Sequence, residues 1–116
     1  MNQSTIYKRR LLKMARFLRE LHSTNFHMHV FRNKINVVRA NLNPKKRNCG
    51  TIACIAGWAP FVFPSYLNIN SSVIDVAKIF GIKDIKSSPF YHYYYDHQPV
   101  SNLDAAKALE DIARKL

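Results

Sequence analysis

An all-α domain is the fold class this sequence predicts, and three observations carry it. Residues 5–22 and 101–116 place apolar side chains at helical spacing. Residues 50–63, GTIACIAGWAPFVF, contain no charge and read as a helix buried on all sides. No segment shows a sustained strand alternation. With 116 residues and 47% hydrophobic composition, the chain is long enough for one core. The expected architecture is one domain over 1–116: a compact bundle of four to five short helices around that buried apolar central helix.

The first helix is expected over 5–22. Tyr7, Leu11, Met14, Ala15, Leu18 and Leu21 form one stripe, and Lys8, Arg9, Lys13, Arg16 and Arg19 fill the rest. Ser23, Thr24 and Asn25 should break it, being turn and cap residues. Residues 26–31, FHMHVF, fit a weak strand or a short helix. Residues 32–48 read as a basic loop, with Pro44 and the run Lys45-Lys46-Arg47. Asn48 or Cys49 would cap the apolar helix, and Pro60 should kink or end it. Ser72-Val-Ile-Asp75 is a capping-box variant, and Gly81 fits the stop of a helix over 73–80. Residues 87–100 form a tyrosine-rich loop. Ser101-Asn-Leu-Asp104 repeats the start signal, and Leu103, Ala106, Leu109, Ile112 and Leu116 make the last stripe.

Charge is the compositional outlier. Eighteen Lys and Arg face seven Asp and Glu, for a net +11. Residues 1–50 hold twelve basic residues and one acid, Glu20, whereas residues 51–116 hold six of each sign. Such asymmetry points to an anionic partner, nucleic acid or an acidic protein. Arg9, Arg10, Lys13 and Arg16 on the first helix and Lys45, Lys46 and Arg47 in the loop are the candidate contacts. Tyr91, Tyr93 and Tyr94 join them, as bases could stack there or a partner could dock. The bland alternatives are a solvated face and a tyrosine loop folded on the core. No zinc finger, RNP stretch or helix-turn-helix is recognisable. No apolar stretch is long enough to span a bilayer, so no membrane partner is expected, and the polar, basic start does not read as a signal peptide.

Residues 48–59, NCGTIACIAGWA, are the most distinctive segment. They resemble the signature Cys-Gly-Thr-x-x-Cys-x-x-Gly-Trp/His-Ala of a family of small uncharacterised bacterial and phage proteins. Phe26-His27-Met28 and Ala105-Ala106 fall in the matching order, and the basic stretch 32–47 departs from the pattern. The resemblance implies a single domain in a phage-like or bacterial setting and no particular activity.

Cys49 supplies the competing class, a small cysteine-dependent hydrolase. A thiol at a helix N-terminus is biased toward thiolate. Asn48-Cys49-Gly50 with Cys54 also resembles the nucleophile turn of ubiquitin-like-protein cysteine proteases. His22, His27, His29, His92 or His97 could serve as base. However, Asn48 stands where that turn has an acid, Asn43 where it has glutamine, and the chain is far shorter. The structural alternative makes Cys54 a small buried hydrophobe beside Ala53, Ala56 and Gly57. Cys49 and Cys54 on one helix would sit about 7.5 Å apart by rise alone, beyond the roughly 7 Å limit for bridging, so two thiols and a reducing compartment are expected. His27 and His29 would share one face of a strand, but two ligands do not make a metal site. The expectation is therefore a non-enzymatic, cytoplasmic protein (host cytoplasm if phage-encoded) with neither cofactor nor metal.

Overall fold

Asn2 starts the first helix. Its side-chain oxygen accepts the Thr5 N–H at 2.9 Å and the Thr5 hydroxyl at 2.9 Å, satisfying a donor that the first turn leaves unpaired. Helix α1 therefore runs Gln3–Glu20, starting and stopping two residues before the stretch its periodicity suggested. The computed structural model describes residues 2–26, 55–68, 70–83 and 101–116. Among them the fold is all-α, a compact bundle without a strand. A 3-10 turn, Ser23–Asn25, follows α1, and then come α2 (Ile55–Val62), α3 (Val73–Ile79) and α4 (Asn102–Arg114).

The stripe on α1 is buried as expected: Leu11, Met14, Ala15, Leu18 and Leu21 all lie in the core. Full burial of a side chain the size of Leu11 or Leu18 contributes roughly 1.5–3 kcal/mol. The most extensive helix contact sets this stripe against α4, and α2 bridges α1 and α3. From the uncharged segment, Ile55, Trp58, Ala59 and Phe63 are buried. The Trp58 indole N–H donates to the Asn25 carbonyl at 2.9 Å, tying α2 to the turn after α1. Burying an indole with its N–H satisfied avoids the cost of an orphaned donor.

Pro60 does not end α2. The helix continues two residues further, to Val62, and the Phe63 N–H still reaches the Ala59 carbonyl at 2.8 Å. A missing donor removes one bond of a helix, and here the bond from Phe63 carries the turn past it.

Helix α3 opens on the expected capping box. The Asp75 N–H donates to Ser72 Oγ at 3.2 Å, and the Ser72 N–H donates to Asp75 Oδ2 at 2.9 Å. The Ser72 N–H, and then its hydroxyl, hold the Asp75 carboxyl below its usual pKa. It closes on Gly81 at φ +72, with the Ile82 N–H donating to the Ala77 carbonyl and the Gly81 N–H to that of Lys78. This double closure is a Schellman stop. A Cβ on Gly81 would also fall 2.5 Å from the Tyr7 ring.

The stripe of α4 is rotated from its expected position. Leu103 is 52% and Leu116 46% exposed, and Ile112 is half-buried. The buried set is Asn102, Ala105, Ala106, Leu109 and Ala113. Small side chains at 105, 106 and 113 let α1 and α4 approach closely, and that contact outweighs burial of two terminal leucines. Asn102 Nδ2 donates to the Leu18 and Leu21 carbonyls at 2.8 and 3.1 Å, so that α4 serves the carbonyl end of α1, where the Leu21 N–H also donates to Leu18.

Candidate functional site

Helix α1 turns its cations outward because its apolar stripe faces α4 and α2. Arg9, Lys13 and Arg16 are exposed and spaced i, i+4, i+7, so they stand in one row opposite the buried stripe. Among the described residues, neither Arg9 nor Arg16 forms an ion pair. The Lys13 ammonium lies 5.3 Å from the Phe63 ring centroid, a cation–π contact that leaves it at the surface. Glu20 continues the row at its C-terminal end.

Two shallow depressions flank this row. One, of about 280 Å³, is lined by Lys13, Arg16, Phe17, Glu20, Phe61 and Val62. The other, of about 250 Å³, is lined by Arg9, Leu12, Lys13 and Arg16. Both fall below the roughly 300 Å³ at which small-molecule sites begin. Leu12 is 43% exposed in the midst of the cations. The Phe17 and Phe61 rings pack on each other at 5.7 Å and on Trp58 at 5.5 and 5.8 Å. Both rings are half-buried, resting in part on one another and on Trp58 and in part lining the first depression.

Two other cations of α1, Arg10 and Arg19, are drawn off the row, while Lys8 is exposed. Arg10, a candidate contact by sequence, is half-buried: one terminal nitrogen donates to the Ile79 carbonyl at 2.6 Å, and its guanidinium carbon sits 4.6 Å over the Tyr66 ring. It serves the negative end of α3 rather than the exposed face. Arg19 pairs in bidentate fashion with Glu110 of α4, its Nε donating to Oε2 at 2.9 Å. That hydrogen bonding holds the Glu110 carboxyl below its usual pKa.

Of the remaining candidates, Lys45, Lys46, Arg47, Cys49, Tyr91, Tyr93 and Tyr94 lie outside the described residues, as do Cys54 and His27, His29, His92 and His97. Among the described residues, no cluster of His, Cys, Asp or Glu could hold a metal ion, and no helix is long and apolar enough to cross a membrane. Sequence reasoning missed Leu12, Phe17, Phe61 and Val62. Leu12 and Phe17 were legible as apolar residues off the α1 stripe, whereas Phe61 and Val62 reach the face only through tertiary packing.

No protein-family model, no curated protein and no solved structure matches the chain.

Proposed function

We propose that this is a non-enzymatic accessory protein that binds an anionic macromolecule through the outer face of α1. The observation that supports it most is the row Arg9–Lys13–Arg16, three exposed cations with no ion pair to a described residue, of which Lys13 alone touches the core, through the Phe63 ring. Like charges three and four residues apart oppose helix formation by a few tenths of a kcal/mol each. A row that works against its own helix is explained by a ligand that neutralises it. Lys45, Lys46 and Arg47 extend the same charge in sequence, and Tyr91, Tyr93 and Tyr94 remain candidate contacts. The phage-like setting rests on the resemblance carried by residues 48–59, Phe26-His27-Met28 and Ala105-Ala106, and the cytoplasmic one also on the two thiols expected at Cys49 and Cys54.

The test is a salt titration of binding to polyglutamate and to an oligonucleotide. Affinity should fall as salt rises, because the Debye length shrinks to about 8 Å at physiological ionic strength. Reversing Arg9, Lys13 and Arg16 to Glu should weaken binding and flatten that dependence. Binding indifferent to both would make the row a solvated face.

A further inference from the structure

We infer that the partner is an acidic protein segment carrying apolar side chains among its carboxylates, seated astride the Lys13–Arg16 ridge of α1. This rests on the reading that α1's outer face binds anions, and it names the class of anion.

Lys13 and Arg16 border both depressions, so they form a cationic ridge with a hollow on each side. Leu12 lies beside Arg9 in one hollow, and Phe17, Phe61 and Val62 give the other its apolar floor. A phosphate backbone would satisfy the ridge and leave both hollows wet. A peptide with carboxylates on the ridge and apolar side chains to either side satisfies all three, and gains burial free energy that a polyanion alone lacks. Bases stack on exposed ring faces, and on this face of the described residues Phe17 and Phe61 are half-buried, with their rings packed against each other and against Trp58.

Binding should be measured at one ionic strength with three probes. The first is a synthetic acidic peptide with leucine and phenylalanine among its glutamates. The second is the same peptide with serine at the apolar positions, and the third is an oligonucleotide of matched charge. The first should bind about tenfold tighter or better than the other two, the scale of burying one apolar side chain. Leu12→Ser should narrow that margin, and it sits at an exposed position where the fold tolerates it. Phe61→Ser should narrow it further, with a thermal melt confirming that the variant folds. Equal affinity for both peptides, or tightest binding to the oligonucleotide, with all binding still lost on reversal of Lys13 and Arg16, would overturn this inference and leave the proposed function standing. Binding unaffected by that reversal would overturn both.

Discussion

Helix α4 carries Asp104 in its first turn and Arg114 in its last, whereas α1 has no acid in its first turn and reaches Lys8, Arg9 and Arg10 by the end of its second. The charges of α4 thus complement its macrodipole and those early in α1 oppose it. The pairing differs as well. Arg114 pairs with Asp111 on its own helix, and Glu110 takes Arg19 from across the interface. The row Arg9–Lys13–Arg16 has no such partners among the described residues. Both helices bury a well-formed stripe against the other, so packing does not separate them. The difference lies on their outer faces: the charges of α4 are largely paired or matched to its dipole, and α1 carries an exposed row of cations without ion pairs to the described residues.

The sharpest contrast lies within α1, between its two faces. Leu18 is fully buried, so Leu18→Ala should cost about 2–5 kcal/mol in chemical denaturation. Arg16→Ala, two residues away on the exposed side, should stay within about 0.5 kcal/mol. Similar losses for the two would erase the division.

The junction between α1 and α4 comes next. Asn102→Ala removes two buried hydrogen bonds from the Leu18 and Leu21 carbonyls, the first of which also accepts the Leu21 N–H, and should cost about 1–3 kcal/mol. A neutral result would mean the helices are joined by their apolar stripes alone.

Arg10 and Arg9 are neighbours in sequence with opposite assignments. Arg10→Ala should cost about 1–2 kcal/mol, because it removes a charge-assisted bond to the end of α3 and a cation–π contact. Arg9→Ala should leave stability almost untouched and weaken anion binding. Differential melts of the two proteins check both halves.

The reading of the sequence reached the elements that depend on neighbours in the chain. The α1 stripe, the Ser72–Asp75 box, the Ser101 cap and the Gly81 stop are local patterns, and all four stand in the structure. It went astray where a distant element decides. The α4 stripe rotated because three alanines and Asn102 fit the surface of α1 better than Leu103 and Leu116 do. Arg10 left the exposed row of α1 for a carbonyl sixty-nine residues away. The hollow beside Lys13 needs α2 to bring Phe61 and Val62 to Phe17, and periodicity within one helix does not report such a meeting.

The smallest expected effect concerns pH. Glu110 is held below its usual pKa in the folded state by Arg19. A depressed carboxylate stabilises the fold at pH above its unfolded value, near 4.3, and loses that contribution as pH falls through the folded value. The wild-type protein should therefore melt slightly above Glu110→Gln at neutral pH, and the gap should close in acid. Because the pair is exposed, salt should shrink the gap too. A gap that widened in acid would place the stabilising charge elsewhere.

Measuring melting temperature and polyglutamate affinity side by side, at low salt, on the wild-type protein and on the triple variant Arg9→Glu, Lys13→Glu, Arg16→Glu tests the division of labour on α1 most directly. The account predicts that affinity drops by about tenfold or more while the melting temperature changes little, since all three side chains are exposed and lie off the buried stripe. A melting temperature that falls along with affinity would show that the row supports the fold, and an affinity that does not change would show that it binds nothing.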